Sequence, residues 1–260
     1  MLLESAALGV VQGVFEWLPV SSKTVVMLFS ELVLGIPASA SYVLGIALQG
    51  GTVLAAAIYM RKYLLDALLL RNKKLFVFLA LATLATAVTG VPLYMFFAKV
   101  LEIGVVGDAM TVVIGVLLIA QAVLLKSLGG GTKGVEDVCL LDSVALGLLQ
   151  GLAAVPGVSR SGITIVALIA LGYHIDVALT LSFLASIPAN LGATVLAWIT
   201  SGGGVVIGTP AFVTALAVSA ITGIAAIGFF IAAARRYGYR FALAVGVLSL
   251  VLGALLLSIR

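Results

Sequence analysis

An all-α polytopic membrane protein is the fold class this sequence predicts, and three observations predict it. Of its 260 residues, 63% are hydrophobic and only 9% charged, where a soluble domain carries roughly a quarter charged. Mean hydropathy is +1.32, so lipid is the fitting solvent. Two apolar regions, one in each half, are also broken near their middles by polar residues, the pattern of re-entrant hairpins at a binding site. Together these predict two inverted-topology repeats containing six spanning helices plus two re-entrant helical hairpins, in a single membrane domain over 1–260.

In chain order, repeat one (1–126) opens with a hairpin at 2–36, interrupted by Glu16, Pro19, Ser21, Ser22 and Lys23. Spanning stretches follow at about 41–60, 75–98 and 104–126, each near the roughly 20 apolar residues a crossing needs. A loop at 127–140 leads to repeat two (141–260). Its hairpin, 141–173, is interrupted by Pro156, Gly157, Ser159, Arg160 and Ser161, and its spans fall at about 178–200, 211–234 and 240–258. Leu8-Gly9-Val10-Val11-Gln12-Gly13 reads against Leu146-Gly147-Leu148-Leu149-Gln150-Gly151 at an offset of 138, and Val20-Ser21 against Val158-Ser159. Gly51-Thr52-Val53-Leu54-Ala55 echoes Ala193-Thr194-Val195-Leu196-Ala197 after a small insertion. The shared order of these matches argues for an internal repeat.

Charge placement sets the topology. Basic clusters stand at Arg61, Lys62, Arg71, Lys73 and Lys74, at Lys126 and Lys133, and at Arg235, Arg236 and Arg240. If each hairpin returns to its side of entry, all three clusters fall on one face, the cytoplasmic one. The uncharged loop around Gly202–Gly204 and both termini then lie on the non-cytoplasmic side. Each half crosses three times, so the second half is upside down relative to the first. The acids Glu136, Asp137 and Asp142 dilute the middle cluster, but acidic residues count little in this rule.

Composition also excludes. No basic stretch is free of membrane-length apolar flanks, so nucleic acid is not expected as a partner. One cysteine, Cys139, leaves no internal disulfide or cysteine cluster, and one histidine, His174, leaves no histidine-rich metal site. Glu4 stands where a signal peptide would carry a basic residue, so the N-terminus reads as part of the fold.

Glu16, Lys23, Glu31 and Arg160 are the charged residues within or beside the hairpins. A charge at membrane depth is costly unless paired or hydrated, which makes each a functional candidate. Arg160 sits in Pro156-Gly157-Val158-Ser159-Arg160-Ser161-Gly162-Ile163-Thr164, a tight turn entering an apolar helix. Ser159, Ser161 and Thr164 bring hydroxyls, Gly157 permits close backbone approach, and the helix N-terminus adds free N–H groups. That combination suits a phosphate, and the Arg fork suits its oxygens. Alternatively, Arg160 pairs with Glu16 and staples the two hairpins. Glu16, one helical turn after Gln12, can serve as a general base, a cation ligand or the partner of Arg160. Ser22 can be a nucleophile or a substrate ligand, while Ser21-Ser22 can also simply cap a helix.

Several residues take plainer readings. His174 beside Asp176 reads as a solvated loop pair, and Tyr237 and Tyr239 as an interfacial belt. Trp17 reads as a belt residue or as lining for a lipid path. Pro188 with Asn190 marks a break or a tolerated proline. Lys23 either snorkels to the outer interface or neutralises a phosphate.

The two hairpin motifs, Gln12-Gly13-Val14-Phe15-Glu16-Trp17-Leu18-Pro19-Val20-Ser21-Ser22 and Pro156 through Thr164, together resemble the undecaprenyl-diphosphatase (bacitracin-resistance) family, of which the chain is a divergent member. Ser182-Phe183-Leu184 through Pro188, with Gly192-Ala193, extends the resemblance over essentially the whole chain. The resemblance implies inverted repeats with re-entrant hairpins in a cell membrane. It also implies removal of the terminal phosphate from a C55 polyprenyl diphosphate with a divalent cation, Mg or Ca. Glu16, Ser22 and Arg160 would then be catalytic and Glu16 the metal ligand. Gln12, Ser21, Gly157, Ser159, Ser161 and Thr164 would bind substrate. The partners implied are the lipid substrate and the bilayer, with room for a homodimer.

Two departures stand out. Gln12 replaces the family's usual first Glu, and Val25 stands at the usual His, with Lys23 and Thr24 also atypical. An amide cannot act as a base and is a poorer metal ligand, so the proton-transfer half of the site is depleted. A transporter or flippase of a polyprenyl phosphate using the same site is therefore the second expectation, ahead of a small-anion transporter.

Overall fold

The computed structural model describes residues 2–102, 131–201 and 208–237, with isolated helical positions between 116 and 123 and between 240 and 251. The predicted spans 104–126 and 240–258, the loop around Gly202–Gly204, Lys126 and Tyr239 lie outside the described residues. Among those described, the structure is helical, with one isolated bridge between Lys133 and Tyr173. Among the described residues, four helices are long and apolar enough to cross a bilayer: Ala38–Tyr59, Lys73–Leu101, Ile175–Thr200 and Thr209–Ala233. They fall on the four predicted spans that lie within the described residues. The chain is a multi-pass membrane protein.

Helices α1 (Leu2–Phe15) and α2 (Ser22–Leu34) form the first helical pair, and α3 (Ala38–Ala47) and α4 (Gln49–Tyr59) the first span, interrupted at Leu48. A short helix absent from the sequence reading, α5 (Arg61–Leu68), follows. It buries Ala67 and leaves Arg61 and Lys62 exposed, as an interfacial helix does. Then come α6 (Lys73–Glu102), α7 (Leu140–Gly151), α8 (Arg160–Ala170), α9 (Ile175–Thr200) and α10 (Thr209–Tyr237). The pairs α1–α2 and α7–α8 are built from helices of 14, 13, 12 and 11 residues. At 1.5 Å per residue these reach about 17–21 Å, short of the roughly 30 Å hydrocarbon core. None crosses alone.

The packing is reciprocal. Gly9 and Gly13 of α1 lie against Ala215, Ser219 and Gly223 of α10, from the other half of the chain. Gly147 and Gly151 of α7 lie against Ala82, Thr86 and Gly90 of α6. A Cβ on Gly13 would come within 2.7 Å of the Ser219 carbonyl oxygen, and one on Gly151 within 2.7 Å of the Gly90 nitrogen. With no hydrophobic force between helices in lipid, such close backbone contact is what holds them. The recurring Leu-Gly-x-x-Gln-Gly is thus a packing motif. Between these two contacts α4 packs on α9, where Thr194 meets Gly50 and donates to the Ile46 carbonyl.

α1 runs beside α10 from its Thr209 end and α7 beside α6 from its Lys73 end, so the turns that follow α1 and α7 both lie mid-molecule. Among the described residues, members of the basic clusters share one end: Lys74 donates to the Glu136 carbonyl at 3.2 Å, and Tyr59, next to Met60 and Arg61, packs on Gly228 of α10, ahead of Arg236. At that end the loop before α7 is tied down. The Lys133 N–H donates to the Gly172 carbonyl and the His174 N–H to the Lys133 carbonyl, while the Lys133 ammonium and the Tyr173 hydroxyl both donate to Asp142. His174 and Asp176 pair in solvent, and Tyr237 is exposed beneath Arg236.

Candidate active site

The first hairpin turns through Glu16–Ser21 and the second through Leu152–Ser159. Gly157, with φ of +92°, makes the second turn in a backbone region that a side chain would strain. Each turn delivers a helix N-terminus to the centre of the molecule, α2 from Ser22 and α8 from Arg160, 138 positions apart. The two N-termini face one another across a small polar cavity of about 10 Å³, room for roughly one water. Glu16, Ser21, Ser22, Lys23, Ser159, Arg160 and Ser161 line it, joined by Gln49 from the Leu48 interruption. Two helix N-termini converging on this cavity give it a positive field suited to an anion.

Glu16 is its hub. The residue is 3% exposed. One carboxylate oxygen accepts from Gln12 Nε2 at 2.8 Å and Ser22 Oγ at 2.7 Å. The other accepts from Arg160 Nη2 and Asn190 Nδ2, both at 2.8 Å. Four donors therefore fill the four acceptor positions a carboxylate offers. Arg160 also donates through Nη1 to the Ser182 carbonyl, while its buried Nε has no protein partner. The Arg160–Glu16 pair that the sequence allowed as a staple is present.

The two serine turns differ. Ser159 caps α8, accepting from the Gly162 nitrogen at 3.1 Å. Ser21, at the same position of α2, caps nothing and accepts from Thr24 Oγ1. Neither Ser21 nor Ser22 is thus explained by capping. Ser159 and Ser161 both donate to the Leu18 carbonyl, locking the second turn onto the first. Thr24 holds the turns together from the other side by accepting from the Gly157 nitrogen. Gln12, Gly157 and Thr164 stand one layer behind the cavity; Thr164 bonds the Arg160 carbonyl and Ser182.

Lys23 does not snorkel. It is 5% exposed and donates to the Val158 carbonyl at 2.8 Å and to the Ala153 carbonyl. Trp17 is no belt residue either, being buried edge-on against Phe183 at 5.0 Å and lining neither cavity. Glu31 also lines neither. Gln49 and Asn190 are site residues the sequence reading did not assign, Asn190 having been noted only beside Pro188. An amide with no charge within a helical turn of it gives no periodic signal; the trace of Asn190 was a polar side chain inside an apolar span, two residues past Pro188. The helix runs unbroken through that proline.

Beside the polar cavity opens a second one of about 400 Å³. Its walls are largely apolar, including Ile46, Tyr94 and Leu196, and Val91, Val195 and Ile199 are exposed at its mouth. Lys23, Gln49 and Arg160 line both cavities and so stand where they join. An apolar groove ending in fixed cations fits an amphiphile with an anionic head.

Comparison with known proteins decides the family. The family model described as bacitracin resistance protein BacA matches residues 5–255. The chain belongs to this family. A relative in Methanothrix thermoacetophila is 38% identical over 254 residues, covering 97% of both chains. One in Pyrobaculum islandicum is 40% identical over 235 residues, 86% of each chain. One in Saccharolobus islandicus is 43% identical over 202 residues, 74% of this chain and 72% of the relative. All three are named undecaprenyl-diphosphatase.

Proposed function

We propose that this BacA-family chain is an integral membrane phosphatase that hydrolyses an undecaprenyl-type polyprenyl diphosphate to the monophosphate, recycling a lipid carrier. The observation that carries the reading is the Ser22 hydroxyl, 2.7 Å from a buried Glu16 carboxylate that Arg160 also touches, at the head of an apolar groove. The lipid tail lies in the groove and enters sideways past Val91 and Ile199. The terminal phosphate takes Arg160 over from Glu16, since the polar cavity at rest has no room for both.

Ser22 Oγ then attacks the terminal phosphorus and passes its proton to Glu16. An O–P bond forms as the bond from phosphorus to the bridging oxygen breaks, and the lipid monophosphate leaves. Water hydrolyses the phosphoserine, regenerating Ser22 and releasing inorganic phosphate. Arg160, Ser159, Ser161 and the two helix N-termini stabilise charge on the transferring group. Gln12 and Asn190 hold the Glu16 carboxylate in line.

The divalent cation implied by the resemblance, with Glu16 as ligand, fits this donor set poorly. Glu16 is the one carboxylate lining the polar cavity, four hydrogen-bond donors already fill its lone pairs, and two buried cations stand beside it. Mg and Ca need six or more oxygen ligands or waters.

The same reading takes 1–126 and 141–260 as inverted repeats with re-entrant hairpins. It is supported by the reciprocal glycine packing and by both turns lying mid-molecule. It puts the shared basic end in the cytoplasm and both termini outside, which cysteine labelling from either side checks at Lys73 and Leu2. Two copies pairing in the bilayer belong to it as well, checked by crosslinking in membranes. Lipid-phosphate transport without hydrolysis is not favoured, since the relatives carry the phosphatase name. The test is phosphate release from a polyprenyl diphosphate by the purified protein, with Glu16→Ala and Arg160→Ala as controls. Release that survives both substitutions, or none from the wild type under any ionic condition, refutes the proposal.

A further inference from the structure

We infer that the Lys23 ammonium takes the place of a divalent cation, so that this chain releases phosphate with divalent cations removed; the inference rests on the phosphatase reading. Lys23 is the second residue of α2, next to Ser22, and is 5% exposed in the middle of a membrane protein. A buried ammonium persists only where it is hydrogen-bonded or meets an opposite charge. Lys23 has both: two backbone carbonyls of the second hairpin, Ala153 and Val158, receive its protons, and it lines the polar cavity that holds Glu16. An ammonium has three donors. Two are fixed by the carbonyls, which leaves the third for a ligand in the cavity.

The two carbonyls do more than solvate the charge. They anchor the ammonium to the turn that presents Ser159, Arg160 and Ser161, so its position is set by the second hairpin although its backbone belongs to the first. Lys23, Arg160 and Gln49 are common to both cavities. A diphosphate whose tail lies in the apolar groove and whose terminal phosphate reaches Ser22 must cross this junction. Its bridging and inner-phosphate oxygens then pass Lys23, where negative charge accumulates as the leaving monophosphate departs.

The charge balance agrees. The charge-bearing groups lining the polar cavity are one carboxylate, Glu16, and two basic side chains, Arg160 and Lys23. Gln12, neutral, supports Glu16 without adding a second negative charge for a metal to offset. A hard dication placed here would meet one saturated carboxylate and two fixed cations. Lys23 supplies at the leaving oxygen the neutralisation a dication gives elsewhere.

The test uses the purified full chain and a polyprenyl diphosphate, with phosphate release measured in excess EDTA and again with Mg or Ca restored. The wild type is expected to keep its rate in EDTA within about twofold. Lys23→Met is expected to lose about a hundredfold in EDTA, the scale of one removed charge-stabilising donor, and to recover on adding cation. Lys23→Arg keeps the charge and is expected to stay EDTA-resistant. A merely structural lysine would not give cation-dependent rescue. Binding of inorganic pyrophosphate in EDTA, read by thermal shift, is expected in the wild type and lost in Lys23→Met. A wild type that needs added cation for release overturns this inference and leaves the phosphatase reading intact. A wild type that releases nothing in either condition overturns both.

Discussion

Positions 16, 22 and 23 of the first hairpin carry Glu16, Ser22 and Lys23; 138 positions later the second hairpin carries Ala154, Arg160 and Ser161. The glycines that seat each hairpin on the opposite half fall at matching positions, as do Gln12 and Gln150 and the turn serines. The difference that shapes the site lies at the turn. Gln12 holds a carboxylate one helical turn away, whereas Gln150 meets Ala154 at that distance in sequence and donates instead to Thr86 of α6. Similar scaffolds thus bring unlike groups into contact: a proton acceptor and a hydroxyl from one, a guanidinium and a capped helix from the other. A mirror-like pair with identical turns would set like charges together, Arg against Arg or Glu against Glu, which a buried site does not tolerate.

The largest expected effect comes from removing the second hairpin's contribution. Arg160→Ala deletes the phosphate fork and leaves Glu16 buried with one donor fewer. Phosphate release is expected to fall by about 10³-fold or more, and stability by roughly 3–5 kcal/mol, the usual result of breaking a buried pair. Ser22→Ala removes chemistry from the first hairpin without stranding a charge, so it is expected to abolish release while shifting thermal unfolding far less. Equal stability losses in the two variants, measured by thermal unfolding of the purified protein, would break the division of roles drawn above.

The sequence made much of this legible. Charged and hydroxyl residues in the middle of two apolar segments can only be there for each other or for a ligand, and Glu16 and Arg160 do meet although 144 positions separate them. The short helices α1, α2, α7 and α8 were readable because each apolar stretch is broken by Pro, Gly and Ser before it is long enough to cross. What stayed hidden depends on tertiary register. Nothing local tells Asn190 that it faces Glu16, or Lys23 that two carbonyls of the other hairpin await it. Snorkelling and inward burial differ by a rotation of α2 that only packing against α3 and the second hairpin fixes. Trp17 failed for the same reason: its ring satisfies either an interface or a core, and Phe183 decides for the core.

A smaller effect tests the shared scaffold itself. Gly13→Ala and Gly151→Ala push a methyl into α10 and α6 respectively, against backbone atoms and the hydroxyls of Thr222 and Thr89. Each is expected to lower stability by about 1–3 kcal/mol, the range for overpacking. If the hairpins are seated alike, the two losses match within error in detergent unfolding. A harmless substitution at one site beside a severe one at the other would show that the resemblance between the halves stops short of their packing.

The smallest expected effect lies at the outer ends of the hairpins, where they also differ. The first closes with Gly35, in the left-handed region with nothing within 4 Å of where a Cβ would stand. The matching position of the second is Tyr173, wholly buried, whose hydroxyl donates to Asp142 at 2.7 Å while Lys133 approaches the same carboxylate at 3.3 Å. Burial first, and then the Asp142 carboxylate, push the Tyr173 phenol above its ordinary range. Its hydrogen bond therefore contributes fully below the unfolded-state value near 10, and that contribution fades as pH rises beyond it toward the folded-state value. Tyr173→Phe is expected to lose about 1–2 kcal/mol at neutral pH, as for a hydrogen bond to a charged group, with Lys133 still pairing Asp142. Above pH ~10 the gap between the variant and the wild type should narrow, read from thermal unfolding across pH. Because Gly35 has no titrating partner to lose, a gap constant with pH would mean that the second hairpin's end is held by shape alone, as the first is.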